Sequence, residues 1–169
     1  MKTDSVDDFA SSLSEAGGEY TRTTAREFET ALSAAVELPA VGAPLGLDSV
    51  SLGGTDVQLP PTPRLLLEAE TGVTRVHGGV IEHGSFVIRS DETGTEPVSL
   101  YPPKHVGVLR ASDLHDDFDA TASWLDGEFQ SGRDSAVVAT GASATADMGK
   151  IVDGVHGPQT VHAIILTDR

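Results

Sequence analysis

Residues 137–166 read VVATGASATADMGKIVDGVHGPQTVHAIIL, and this stretch says most about the fold. It opens within a predicted apolar strand, 136–139, and closes with a second apolar strand, 161–166. Between them lie a loop of small residues and a predicted short helix that begins at Asp147. The order strand, helix, strand predicts two parallel strands within an α/β sheet.

The loop that follows the first strand is a candidate binding site. Most of residues 140–147 are Gly, Ala, Ser or Thr, and such residues let the backbone approach a ligand closely. Because open α/β sheets bind ligands at the carboxyl ends of parallel strands, we expect an anion-accepting loop for carboxylate or phosphate. Gly141 opens this loop, and Ser143 and Thr145 add hydroxyl groups. The alternative is a tight turn in which Asp147 only caps the helix.

A histidine stands at the next corner, in Gly154-Val155-His156-Gly157-Pro158. Gly154 can end the short helix, and Gly157-Pro158 can turn the chain into the last strand. His156 on such a corner can orient a carboxylate or transfer a proton near neutral pH. A histidine that only satisfies backbone groups at the corner is the alternative.

Hydrophobic spacing and turn residues predict the remaining elements. Two helices open the chain, the first capped by Ser5 and ending at Gly17-Gly18, the second capped by Thr23 or Thr24 and ending at Pro39. A surface connection over 40–54 follows, and then a short helix that begins at Thr62-Pro63.

Further along, strands 79–81 and 86–88 flank the polar group 82–85, and a turn covers 91–97. A short strand over 106–109 precedes an acidic helix over 113–129, in which Leu114, Phe118, Ala122 and either Trp124 or Leu125 face inwards.

The whole pattern predicts one α/β domain with a largely parallel sheet flanked by helices. Residues 1–60 are interpreted as a helical segment and connection within the same unit, and residues 61–169 as its α/β core.

The chain is strongly acidic, with a net charge of −15 from 26 acidic and 11 basic residues. Because salt screens repulsion between like charges, such a surface suits a high-salt cytoplasm, as in a halophilic archaeon. An ordinary acidic mesophilic protein is the alternative. Nucleic acid and anionic membranes are not expected as partners, since binding them needs clustered Lys and Arg.

The chain has no cysteine, so it cannot bind an iron–sulfur cluster through thiolates or use a thiol nucleophile. No cofactor and no metal site are expected in it. Its N-terminal residues lack a signal-peptide core, and no apolar stretch approaches the ~20 residues needed to span a bilayer. A cytoplasmic location is the resulting prediction.

Two uncommon motifs in order, Gly141-Ala142-Ser143-Ala144-Thr145-Ala146-Asp147 and Gly154-Val155-His156-Gly157-Pro158, resemble the C-terminal signature of the LutC/YkgG family, which carries the LUD domain. Upstream, Leu100-Tyr101-Pro102-Pro103-Lys104-His105 looks like the Leu-Pro-Pro-x-His segment of that family. The resemblance covers roughly residues 65–166.

The resemblance implies a NagB/RpiA/CoA-transferase-like fold and a non-redox role in a lactate utilisation system that oxidises L-lactate to pyruvate. It implies iron–sulfur clusters on partner subunits and a small carboxylate as ligand. The implied ligand-binding residues are Glu82, Gly84, Ser85, Gly141, Ser143, Thr145, Asp147, His156 and Gly157. Glu82 and His156 are the catalytic candidates, and Glu82 would act as a base if burial raised its pKa.

One departure from the family pattern lies at His83, which stands where the family turn usually has a threonine. Two alternatives of different class also stay open. The chain can be a stand-alone enzyme acting on a phosphorylated or acyl substrate, by analogy of fold alone, or a purely structural assembly subunit.

Overall fold

The computed structural model describes residues 2–133, 135–142, 144–147, 150–153 and 156–169, and for residues 2–3, 144–147 and 150–153 it describes the backbone alone. Within these residues the strands are β1 (Glu19–Thr23), β2 (Ala40–Gly42), β3 (Val57–Gln58), β4 (Thr71–Arg75), β5 (Gly78–Val80), β6 (Ser85–Arg89), β7 (Lys104–Arg110), β8 (Leu114–His115), β9 (Ala136–Thr140), β10 (Ala144–Asp147), β11 (Lys150–Asp153) and β12 (Thr160–Leu166). The α-helices are α1 (Lys2–Glu15), α2 (Phe28–Ala35), α3 (Pro63–Glu68), α4 (Thr95–Leu100) and α5 (Phe118–Gln130).

Six strands form a central sheet in the order β1-β12-β7-β4-β2-β3, and every pairing in it is parallel. The apolar strand β12 lies between β1 and β7, and residues Val161–Leu166 are buried on both faces, as expected for a parallel sheet. After β2 the chain continues to β3, which is the neighbour of β2 at the edge of the sheet. After β4 the next strand of this sheet is β7, which is the neighbour of β4 on the side away from β2. The direction of winding therefore reverses between β2 and β4.

Each face of the central sheet is covered by a separate apolar cluster. On one face α2 contributes Phe28 and Leu32, which pack with Val106 and Ile164 of the sheet. On the other face, Phe9 and Leu13 of α1 pack with Ile165 and with Phe86 of β6. Both helices were predicted from hydrophobic spacing, and Phe9, Leu13, Phe28 and Leu32 on their apolar faces are buried.

A second sheet, in the order β8-β5-β6-β9, lies on the α1 side. β5 and β6 form an antiparallel hairpin around residues 81–84, which confirms the two predicted strands that flank the polar group. β9 then pairs antiparallel with β6, from Ser85↔Thr140 to Arg89↔Ala136. The predicted strand over 136–139 is therefore present, but its predicted parallel pairing is wrong.

The edge strand β1 is held on β12 by a buried histidine as well as by its backbone. His162 Nε2 shares a 2.8 Å hydrogen bond with Thr21 Oγ1, and its Nδ1 lies 3.2 Å from Glu19 Oε2. Burial lowers the pKa of His162, while the hydrogen bond with Glu19 opposes that shift. β1 was missed in the sequence because Glu19–Thr23 has no apolar run, and the predicted cap Thr23 lies within this strand.

The prediction of a surface connection over 40–54 is wrong. Ala40–Gly42 forms a buried strand between β4 and the edge strand β3, and Leu45, Val50 and Leu52 of the following loop belong to the core under α2. Pro and Gly divide this segment into pieces too short for a periodic pattern, so its apolar residues gave no strand signal.

Two helix boundaries also differ from prediction. α1 begins at Lys2, so Ser5 lies inside it and does not cap it. The acidic helix begins at Phe118, because Asp117 accepts a hydrogen bond from Ala120 N–H at 2.8 Å and forms the cap. Leu114 lies instead in β8, and Phe118 is 43% exposed. The short helix that begins at Pro63 is confirmed, with Thr62 as its cap.

Among the residues described, no helix combines the length and the apolar character needed to cross a membrane.

The packing of α1 on the second sheet predicts the effect of two glycine substitutions. Gly84 has φ +62°, and an added Cβ would lie 2.2 Å from the backbone nitrogen of Leu13. Gly17 has φ +82°, but an added Cβ would meet no atom within 4 Å. We expect Gly17→Ala to lower the free energy of unfolding by about 1 kcal/mol through backbone strain alone, and Gly84→Ala by about 3 kcal/mol or more. Urea unfolding followed by circular dichroism would measure both, and equal losses would contradict the role assigned to the contact.

Candidate functional site

The end of β9 and the histidine corner line one cavity of about 200 Å³. From β9 and the turn after it come residues Val137, Val138, Ala139, Thr140, Gly141 and Ala142. From the corner come His156, Gly157 and Pro158. The family resemblance implied that both segments bind the ligand, and their described residues line the same cavity.

The position of the cavity in the fold differs from the prediction. Its floor includes His105 and Val161, which are the second residues of β7 and β12, so the cavity lies at the amino ends of these parallel strands. The predicted helix N-terminus is also absent here, because Ala144–Asp147 and Lys150–Asp153 are strands that pair antiparallel. The predicted mechanism of anion binding by helix N–H groups is therefore wrong.

His105 is the polar side chain at the base of this cavity. It is 2% exposed, its Nε2 shares a 2.8 Å hydrogen bond with Thr74 Oγ1, and its ring meets that of Phe86 edge to face. Burial lowers the pKa of His105 to about 4, so its imidazole is neutral at physiological pH. His105 was not among the predicted site residues, although the Leu-Tyr-Pro-Pro-Lys-His segment contained it.

Ser85 and the two glycines of the prediction contact other parts of the framework. Ser85 is fully buried, and its Oγ shares a 2.6 Å hydrogen bond with Thr140 Oγ1, which joins β6 to β9. Gly141 has φ +64°, and an added Cβ would lie 2.1 Å from the carbonyl oxygen of Ala16. Gly84 contacts the same end of α1 through Leu13. The packing of α1 thus accounts for a glycine at both turns.

Glu82 lies in a different place from His156. Its side chain is 57% exposed, and its carboxylate is 3.5 Å from His83 Nδ1. It belongs to an acidic surface pocket that also includes Asp116, Asp117 and Asp119 at the start of α5. The described structure therefore does not bring the two catalytic candidates into one cavity.

The remaining predicted residues lie in or beside the segment 143–155. Ser143 and Gly154 lie outside the described residues. Thr145 and Asp147 are described as backbone of β10, and their side chains are outside the description.

Few polar side chains line the cavity over the part that the structure describes. Ser99, His105, Thr140 and His156 are its polar side chains, and no Lys, Arg, Asp or Glu occurs among the described lining residues. Ser99 Oγ donates a 2.7 Å hydrogen bond to Glu96 O. His156 is exposed and the lining from Ile88 and Val161 is apolar, so the cavity suits a small ligand with one apolar and one polar end.

In the described part of the chain, no three His, Cys, Asp or Glu side chains lie close enough together to hold a metal ion.

These features define the class of the protein. It is a single α/β domain with a six-stranded parallel sheet and a cavity beside its second sheet. The sequence profile of the LUD domain matches residues 55–166, about two thirds of the chain, so the protein belongs to the LUD domain family. This confirms the family that the two C-terminal motifs indicated.

A solved structure with the same fold is a DUF162 family protein from Deinococcus radiodurans, with a TM-score of 0.75. The two chains are 20% identical, and the similarity covers 99% of each. At this identity the likeness shows the fold alone. The comparison with curated proteins found none that matches the chain.

The buried, hydrogen-bonded state of His105 predicts its titration. Because burial opposes the charged form, the imidazole should stay neutral as the pH falls from 8 to 5 and take up a proton only near pH 4. Between the unfolded pKa of about 6.5 and that value, the unfolded chain binds the extra proton, so stability contributed by His105 is lost as the pH falls. NMR titration of the His105 ring carbons would check this, and a midpoint above pH 6 would contradict it.

Proposed function

We propose that this protein is a LutC-like, non-redox component of a lactate utilisation system that oxidises L-lactate to pyruvate. Membership of the LUD domain family supports the proposal, since that family is linked to lactate utilisation. The structural observation that supports a ligand site is the cavity that both the Gly141 turn and the His156 corner line.

A small carboxylate is the ligand that we propose for this cavity. Its carboxylate end would lie at the exposed His156, where solvent can reach the charge. Its carbon end would lie against Ile88 and Val161, towards the neutral His105. Because Nε2 of His105 is hydrogen-bonded to Thr74 Oγ1, a ligand would have to use Nδ1, which donates to a hydroxyl or carbonyl oxygen in one tautomer and accepts from a hydroxyl in the other. The roles of Ser143, Thr145 and Asp147 stay predictions.

Electron transfer would take place on partner subunits. The chain has no cysteine, and thiolates are the usual ligands of iron–sulfur clusters. We propose that two iron–sulfur partners carry the redox steps and that this subunit binds the substrate or product beside them.

The experiment compares His156→Ala and Thr145→Ala with the wild type, both as purified chains and in complex with the two iron–sulfur subunits. We expect His156→Ala to lower lactate oxidation about tenfold and to reduce the rise in melting temperature that L-lactate or pyruvate produces. Thr145→Ala should act in the same direction.

His83→Ala is the matched control, because His83 is an exposed histidine beside Glu82, outside the cavity lining. It should leave oxidation and thermal shift unchanged. If lactate oxidation needs the chain but neither His156→Ala nor Thr145→Ala has an effect, the subunit serves assembly and the ligand proposal fails. Stabilisation by phosphorylated sugars alone would favour the stand-alone enzyme.

We also propose a cytoplasmic setting of high salt, which the net charge of −15 supports. Raising KCl from about 0.1 M to about 1 M shortens the screening length from about 10 Å to about 3 Å and weakens repulsion between surface carboxylates. The melting temperature should therefore rise by about 5 °C or more, as measured by scanning calorimetry. Sucrose is the control for non-ionic stabilisation, and a melting temperature insensitive to KCl would contradict the proposal.

A further inference from the structure

The winding of the central sheet reverses between β2 and β4. The carboxyl ends of these two strands lie at the opposite end of the parallel sheet from the cavity, which is at the amino ends of β7 and β12. Open α/β sheets bind ligands at such a reversal, outside the carboxyl ends of the strands. Here β2 ends at Gly42 and β4 ends at Arg75, and the loop that follows β2 lies beside the Arg75 side chain. A guanidinium therefore stands where this fold type offers a ligand crevice.

Arg75 is only partly satisfied by its surroundings. Its side chain is 17% exposed, and Nη1 donates a 3.3 Å hydrogen bond to the carbonyl oxygen of Gly46. Nη2 lies 3.6 Å from Asp113 Oδ2, which is too long for a hydrogen bond. Nε is buried and has no hydrogen-bond partner among the described residues. A buried guanidinium nitrogen without a hydrogen-bond acceptor destabilises the folded protein, so an acceptor supplied by a ligand would be favourable.

The neighbouring Arg110 has a carboxylate that accepts two hydrogen bonds from it, and Arg75 has no such partner among the described residues. Arg110 uses its Nε and Nη2 to hold the two carboxylate oxygens of Asp113, both at 2.7 Å. The same two atoms of Arg75 have no carboxylate of their own. Two guanidinium groups thus share the one carboxylate of Asp113, and the second negative charge nearby, Asp48, is exposed and lies close to Arg110.

The electrostatics of Arg75 agree with this geometry. Burial and then repulsion from Arg110 lower the pKa of its guanidinium, and Asp113 only partly opposes them. An anion bound to Arg75 would stabilise its charged form and so oppose both effects.

We propose that the carboxyl edge between β2 and β4 is an anion site that binds a small monoanionic carboxylate, with Arg75 as its charged anchor. The carboxylate would accept from Nε and Nη2, the bidentate arrangement that Arg110 and Asp113 already display. Because Nε is buried, binding includes a turn of the guanidinium towards the ligand. A phosphate dianion fits less well, since Asp113 and Asp48 would repel its second negative charge. The site is independent of the cavity proposed above.

The test is an NMR titration of the full chain that follows the Nε–Hε signal of Arg75 and the amide signal of Gly46. Sodium acetate is the carboxylate probe, sodium phosphate the comparison and sodium chloride the control for ionic strength. We expect acetate to shift both signals saturably and at lower concentration than phosphate. No saturable shift, or tighter binding of phosphate, would overturn the proposal.

Three variants sharpen the test. Arg75→Gln should weaken acetate binding about tenfold or more, whereas Arg64→Gln, which removes an exposed arginine paired with Glu68 on α3, should leave it unchanged. Asp113→Asn should tighten acetate binding about threefold, because it removes the competing carboxylate. Tightening is an effect that damage to the fold would not produce, so this variant decides the matter even if Arg75→Gln folds poorly. Retained binding in Arg75→Gln, or weaker binding in Asp113→Asn, would refute the site.

His156→Ala separates this site from the cavity. It should leave the acetate shift at Arg75 unchanged, so failure of one proposal leaves the other standing. Loss of that shift in His156→Ala would refute the independence of the two sites.

Discussion

The close approach of α1 to the second sheet is the constraint on which the rest of the structure depends. Gly84 and Gly141, in turns beside strands of that sheet, meet the backbone of Leu13 in α1 and of Ala16 just after it, at distances that leave no room for a side chain. Since Gly141 also begins one wall of the cavity, the helix sets the position of that wall. The apolar face of α1 reaches the central sheet as well, so one helix holds both sheets in a fixed relation.

The strands that could be predicted are those with continuous apolar runs, such as Val161–Leu166 and Val106–Leu109. Local pattern could not show that β9 pairs antiparallel with β6, because the choice of partner depends on residues fifty positions away. For the same reason a loop of small residues after β9 resembled a strand-to-helix turn, whereas a β-hairpin follows. The short strands β1, β2 and β3 carried no recognisable period at all.

The candidate site, like the fold, could be predicted from the sequence only in part. The nearness of Gly141 and His156 could be predicted because each lies in a family motif close to the other in sequence. His105 could not be assigned from its own neighbourhood, since it is the second residue of a buried strand and its role depends on Thr74 from another strand. Glu82 carries the right chemical group, but it lies in the acidic pocket at the start of α5.

The pairing of β1 with β12 has a consequence for how the chain acquires its structure. Residues 19–23 find their only described sheet partner in residues 160–166, almost a full chain length later. Closing so long a loop is entropically expensive, and contacts of this separation form slowly. During synthesis the first strand must therefore wait as an unpaired edge until the last strand emerges from the ribosome, and aggregation at that stage is a hazard that the many carboxylates of the chain would oppose.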